Sequence, residues 1–516
     1  MKLRKVLFLS ADQWRGECLS ILGHPLAMTP NLDALASDGV LFRRHYAATA
    51  PCGPARTSML TGLYLMNHRC GRNGTPVDAR FTNLALEVRK AGYEPTLFGY
   101  TDTAPDPRRF APGDPALTTY EGVMPGFAVG LQLPEHMAHW IADLKARGYD
   151  LPEGRWSVYK PAPGYRPGPG ESSFGAPALF AAEHGETEFM ADAIRRFLSV
   201  RRDQNWFVHG VFLRPHPPFI APAPFNRLID PADVPSPARR PTAAEEGALH
   251  PYLAHRISRM GAEGLITDDP IDTRELSERD IRQIRATYFG LIAQTDAGIG
   301  RILQHLKDTG EYDETLILFT VDHGELLGDH WLWGKEGWHD PAYHIPLIIR
   351  DPRPHAARGK IVEEFTEAVD LMPTILDWLG LDVPLQCDGE SLLPFLEDQR
   401  PARWRGEAHY EYDFRDIEHQ VPETALGLTS DQCALAVIRN REWKYVHFPA
   451  LPPLLFNLGE DPQEFVNRAE DPACREVMLR YAQKMLTWRM EQADRTLART
   501  FLTENGPFER KGPRRN

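Results

Sequence analysis

Pro51-Cys52-Gly53-Pro54-Ala55-Arg56-Thr57-Ser58-Met59-Leu60-Thr61-Gly62 is the stretch on which the reading of this chain turns. Pro54 suits a first helical turn, because the N–H it lacks has no partner there. A helix opening at Cys52 would present unpaired N–H groups and the positive end of its dipole, which hold anions well. One turn in, Arg56 carries a planar fork of donors matched to sulfate, phosphate or phosphonate oxygens. A reactive side chain at position 52 would therefore lie beside an anion cradle. The alternative for an isolated cysteine is a buried, inert thiol, so the decision rests on what the rest of the chain places nearby.

Two other stretches end alike. Val6–Ser10 is an apolar run that leads into Ala11-Asp12-Gln13, and the β-branched run Thr315–Val321 leads into Asp322-His323-Gly324-Glu325. Runs of this kind suit parallel strands buried on both faces. In open α/β sheets ligands gather beyond the carboxyl ends of strands, and each of these ends carries two potential metal ligands. Further strands are predicted at Val40-Leu41-Phe42, Thr96–Tyr100, Trp206–Leu213 and Pro346–Arg350. Helices are predicted at 29–36, Leu84–Ala91, Glu186–Val200, Ser277–Thr309 and Asp370–Leu379. This alternation predicts an α/β fold with a mixed, mostly parallel sheet between helices, formed by residues 1–400.

Pro/Gly-rich stretches at about 102–177 and 222–272 read as insertions over the functional face, the first holding a helix at 135–147. From residue 401 to 516, short strand-like runs (Leu435–Arg439, Trp443–Val446) and a helix at Ala473–Arg495 predict a smaller α+β domain. Its last residues, 501–516, read as a polar, basic arm.

A formal net charge of −13 over 516 residues argues against a general nucleic-acid binder, which would show a basic footprint. It still allows a small anionic substrate, held by a local cluster of Arg, Lys and metal. The apolar run after Met1-Lys2-Leu3-Arg4-Lys5 is too short for a signal peptide, and no stretch is long enough to span a membrane. Cysteines 18, 52, 70, 387, 433 and 474 lack paired metal-ligand spacing. They are expected to be reduced thiols in a cytoplasmic protein.

Taken together, these residues resemble the type I sulfatases of the alkaline phosphatase superfamily. Cys52-x-Pro54-x-Arg56 followed by Leu60-Thr61-Gly62 looks like their signature. The likeness continues through Arg214-Pro215-His216-Pro217-Pro218 and Asp322-His323-Gly324 to Tyr343–Arg350. Asp12-Gln13, Asp322-His323, Tyr64-Leu65-Met66-Asn67-His68-Arg69 and Arg72-Asn73-Gly74-Thr75-Pro76 look most like the branch of phosphonate monoester hydrolases and their arylsulfatase relatives.

The resemblance implies an alkaline-phosphatase-like fold and conversion of Cys52 to formylglycine by a maturation enzyme, the hydrated aldehyde being the nucleophile. It implies one divalent cation held by Asp12, Gln13, Asp322, His323 and position 52. Arg56 and Lys335 would hold substrate oxygens, Lys335 also stabilising charge on the departing oxygen. His216 would protonate the leaving group, and Asn73 and Tyr100 would contact the non-bridging oxygens. A homo-oligomer, dimer or tetramer, is implied as well. An amide and an imidazole in the metal shell move preference from Ca²⁺ toward nitrogen-tolerant ions; Mn²⁺ is expected, with Ca²⁺ and Zn²⁺ open.

One position departs from the branch. Asp102 follows Tyr100-Thr101 where the phosphonate monoester hydrolases carry a threonine. A carboxylate there repels a doubly charged substrate more than a singly charged one and removes a donor. The expectation is hydrolysis of monoanionic esters by one promiscuous site, aryl sulfates first, with phosphonate monoesters and phosphodiesters as the alternative. Two competing readings are a metal-dependent phosphatase that uses unmodified Cys52, and a non-catalytic anion-binding protein.

Overall fold

In strand β1 (Lys5–Asp12) every residue is buried; Leu7, Leu9 and Ala11 face one hydrophobic cluster, Val6 and Phe8 another. A strand that is apolar on both sides needs cover on both. The computed structural model, which describes residues 4–134, 136–154, 156–260 and 272–509, supplies that cover. The strand lies inside a nine-stranded sheet with β2 (Val40–Tyr46), β3 (Pro95–Gly99), β4 (Ala128–Gln132), β5 (Trp206–Pro215), β6 (Thr315–Val321), β7 (His344–Ile345), β8 (Leu347–Arg350) and β9 (Lys360–Glu367). The order is β4-β3-β5-β1-β6-β8-β2-β7, with β9 also paired to β2. From β4 to β6 all pairings are parallel. Antiparallel β8 then joins β6 to β2, and β9 runs parallel to β2. The mixed, mostly parallel sheet expected from the sequence is thus present.

The helices Glu186–Ser199 and Glu278–Thr309 bury Met190, Ile194, Ile281, Ile284, Leu291 and Ile299 on one face of the sheet. The Cys52–Thr61 helix covers the other with Met59 and Leu60, beside the helices Leu84–Lys90 and Leu371–Leu379. Ser277 caps the long helix by accepting from Asp280 N, and Gly310 closes it in the left-handed region. A second, antiparallel sheet runs β10 (Ala408–Asp413), β11 (Ala434–Arg439), β12 (Trp443–His447), β13 (Leu454–Asn457). The helix Arg475–Glu491 packs on it through Tyr481, Met485 and Trp488.

Several expectations are revised. The first insertion holds a strand as well as the expected helix: Ala128–Gln132 adds to the sheet edge as β4, and the helix spans Ala138–Ala146, residue 135 lying outside the described residues. The second insertion contains the helices Ala243–Gly247 and Pro251–Arg259. The segment Lys360–Glu367, for which no element was predicted, is strand β9, fixed by its parallel pairing with β2. Of the C-terminal arm, the described part is a hairpin, Thr500–Thr503 with Gly506–Glu509, that exposes Phe501, Leu502 and Phe508. It is thus less polar than expected, and residues 510–516 lie outside the described range.

Close packing of the long helix against the second insertion is testable. A Cβ at Gly290 would stand 2.1 Å from the Phe225 carbonyl oxygen. Gly290→Ala should cost about 1–3 kcal/mol by overpacking, read as a lowered denaturation midpoint. An unchanged midpoint would show that the helix does not approach Phe225 so closely.

Candidate active site

Neighbouring parallel strands release their chains at one edge of the sheet. β1 ends at Asp12 and leads to Gln13; β6 leads to Asp322 and His323; β3 leads to Tyr100; and β5 ends at Pro215, opposite Asp12, and leads to His216. The Cys52 helix points its start at the same place. Cys52, at 4% exposure, opens a helix in which every residue is buried.

The ligand atoms of Asp12, Cys52, Asp322 and His323 all lie within 4.8 Å of one another. His323 Nδ1 lies 3.0 Å from the Gly324 carbonyl oxygen and donates to it, which turns Nε2 toward the group, 3.2 Å from Cys52 Sγ. Asp12 Oδ1 is buried with no hydrogen-bond partner among the described residues. A carboxylate oxygen buried in this way is costly unless something positive meets it. Two carboxylates, one imidazole and one sulfur-bearing position form a donor set that fits a divalent cation.

Gln13 adjoins this set in a left-handed backbone conformation, φ 68°. Its amide oxygen accepts from Lys335 Nζ at 2.7 Å and its amide nitrogen donates to Glu325. Its expected place in the metal shell therefore rests on the second lone pair of the same oxygen. Glu325, which the sequence reading did not single out, also accepts from Leu327 N and Gly334 N. It stands two residues after His323, so proximity in sequence was the only signal for it.

Arg56 is revised. It was expected to grip substrate oxygens, but its donors go to the protein. Nη2 donates to Asp12 Oδ2 (2.6 Å) and lies 3.0 Å from Asp322 Oδ2, Nε donates to Asp322 Oδ2 (3.1 Å), and Nη1 donates to Asp102 Oδ2 (3.2 Å) and to the Tyr100 carbonyl (3.5 Å). The guanidinium also lies over the Tyr100 ring, 3.7 Å from its centroid. Tyr100 in turn donates its hydroxyl to Asp12 Oδ2 at 2.6 Å. Both residues thus position the carboxylates. Asn73 accepts from Gly53 N at 2.9 Å and so sits at the mouth of the Cys52 helix. A Cβ at Gly53 would come within 2.8 Å of the Asp102 carbonyl oxygen, so this approach requires glycine.

The charges tune one another. Burial raises the Asp12 carboxyl, but His216, Arg56, His323 and Lys335 overcome it and hold the group below its usual range. Asp322 is pushed up to about 7, by burial first and then by the charge of Asp12. Burial, then Asp12, raises the Cys52 thiol far above its ordinary value, so an unmodified thiol here stays protonated. Burial brings His216 down to about 4, against the pull of Asp12.

A buried, acid-rich donor set at the carboxyl ends of a parallel sheet, with a helix start aimed into it, defines a hydrolase of the alkaline-phosphatase architecture. Comparison with known proteins makes this specific. A family model described as Sulfatase matches residues 4–381, and one described as N-sulphoglucosamine sulphohydrolase, C-terminal, matches residues 328–491. The chain belongs to the Sulfatase family.

It is 43% identical to the multifunctional alkaline phosphatase superfamily protein PehA of Trinickia caryophylli, over 96% of this chain and 97% of that one. The solved phosphonate monoester hydrolase of Agrobacterium radiobacter superposes with a TM-score of 0.94 at 49% identity, covering 99% of this chain and 100% of the other. That of Silicibacter pomeroyi gives 0.92 at 42%, covering 98% and 99%.

The Tyr100 hydroxyl contact has a measurable role. Tyr100→Phe leaves the ring under Arg56 but frees Asp12 Oδ2 from one donor. Metal retained after dialysis and kcat/KM should both fall by about 10–100-fold, with the fold unchanged by circular dichroism. Wild-type values for both would show that this contact orients nothing.

Proposed function

We propose that the chain hydrolyses singly charged tetrahedral esters, phosphonate monoesters at least as readily as aryl sulfates, with position 52 acting after conversion to formylglycine. The observation that carries this reading is the buried group of Asp12, Cys52, Asp322 and His323 with its partnerless Asp12 oxygen. A divalent cation held there, Mn²⁺ by the mixed oxygen and nitrogen donors, would activate the nucleophile and offset negative charge on the ester. Formylglycine would supply a geminal diol where the thiol is held protonated.

The chain's own groups divide the remaining work. Lys335 gives one N–H to Gln13 Oε1; an ammonium has three donors, so two remain for ester oxygens. His216 Nδ1 lies 2.6 Å from the Pro217 carbonyl oxygen and donates to it, leaving Nε2 to handle a proton. Because the ring is neutral at neutral pH, a proton given to the leaving oxygen must first be taken up at Nε2. Asn73, on the Gly53 N–H, lines the entrance beside position 52.

Asp102 was the reason for placing aryl sulfates first. Its carboxylate is paired with Arg56, so the repulsion assigned to it is largely offset within the protein. Similarity to solved phosphonate monoester hydrolases at 49% and 42% identity supports phosphonate esters at least equally. The apolar hairpin formed by Thr500–Thr503 and Gly506–Glu509 supports a homo-oligomer.

The test compares kcat/KM for an aryl phosphonate monoester and an aryl sulfate that share one phenol. The enzyme carries excess Mn²⁺ and a Cys52 conversion verified by peptide mass. Both esters should turn over, and Cys52→Ala should lower both by at least about 10³-fold. Wild-type rates in Cys52→Ala, or no turnover of either ester by converted enzyme, would overturn the reading.

A further inference from the structure

A cavity of about 330 Å³, lined in part by the chain neighbours of Asn73 and Lys335, is used by none of the roles above. One wall is the helix Pro251–Arg259 of the second insertion. Tyr252, His255, Arg256 and Arg259 fall at i, i+3, i+4 and i+7 and so share one face of it, and all four line the cavity. The facing wall comes from the second sheet, with Tyr412 and Phe414. The Tyr252 and Phe414 rings pack 4.8 Å apart between centroids, which makes the floor aromatic and buried.

Two lining residues are chain neighbours of site residues. They are Arg72, which precedes Asn73 at the mouth of the Cys52 helix, and Glu336, which follows Lys335. The part of an ester that departs from position 52 would lie between these two residues. A volume of this size takes one substituted aromatic ring, at the lower end of small-molecule sites.

Charge sets the chemistry at the far side. Arg72 is paired with Asp416, and Arg256 with Glu336. Arg259 meets no acidic partner among the described residues, and it stands one turn from His255. His255 is held below the usual imidazole range by burial, then by Arg256 and Arg259, which places both guanidiniums close to that ring. The lining therefore carries an excess positive charge at Arg259, over an aromatic floor.

We propose that this cavity binds the alcohol half of the ester and selects a phenolic leaving group that bears a carboxylate, which Arg259 receives. The inference rests on the hydrolase reading and refines its substrate class. A flat ring would stack on Tyr252 and Phe414. Its carboxylate would accept from the Arg259 guanidinium, with His255 beside it.

The test uses phosphonate monoesters of two phenols of matched acidity, one carrying a carboxylate and one uncharged, together with calorimetric binding of the free carboxylated phenol. Wild-type enzyme should favour the carboxylated ester in kcat/KM by about tenfold, mainly through KM. Arg259→Ala should bring the ratio near one, and Arg259→Glu should invert it. The free phenol should bind to the wild type and lose about tenfold in affinity in Arg259→Ala.

Equal ratios in the wild type and Arg259→Glu, with phenol binding indifferent to residue 259, would overturn the inference. If neither ester is hydrolysed but the phenol binds in an Arg259-dependent way, the cavity assignment stands and the hydrolase reading falls.

Discussion

Two carboxylates that end adjacent parallel strands cannot be buried side by side and both stay charged without positive charge between them. Asp12 and Asp322 are in that position, and the Arg56 guanidinium answers it from the first turns of the Cys52 helix. The rest of the site depends on this junction. Because Arg56 must reach both carboxylates, the helix start is held over the sheet edge, and Cys52 is brought within 3.2 Å of His323 Nε2. One cation does not balance Asp12, Asp322, Asp102 and Glu325, even with Lys335 nearby. The remaining acid excess, with a bare oxygen on Asp12, is what a divalent cation would complete.

The residues legible in the sequence were those whose local context carries the signal. Val6–Ser10 and Thr315–Val321 are long enough and apolar enough to announce buried strands, and whatever follows such strands lies at the functional edge. That argument located Asp12, Gln13, Asp322 and His323 without a structure. It did not show what Arg56 touches. A guanidinium has five donors, and sequence spacing says nothing about whether they face a substrate or other side chains.

The strand Ala128–Gln132 was hidden for a different reason. It is short, carries Gly130 and alternates weakly, and pairing with β3 alone gives it its shape. The helix Pro251–Arg259 was masked by the proline-rich stretch around it. Yet Pro251 is at its first position, where proline is at home, and the His250 side chain accepts from Tyr252 N. Proline counts described the segment as irregular, whereas the position of one proline marked a helix start.

Joined to the proposed conversion of position 52, the burial of the Cys52 helix would also set an order of events in the life of the chain. Position 52 is almost closed to solvent, and its neighbours Gly53 to Thr61 are all inside. An enzyme that modified this side chain would need access to it, and the folded molecule offers no free backbone here. The proposed conversion of Cys52 would therefore belong to the nascent or unfolded chain. Under that proposal the proportion of active molecules would be decided by a race between folding and modification, and protein that had folded with its thiol intact could not be repaired without being unfolded again.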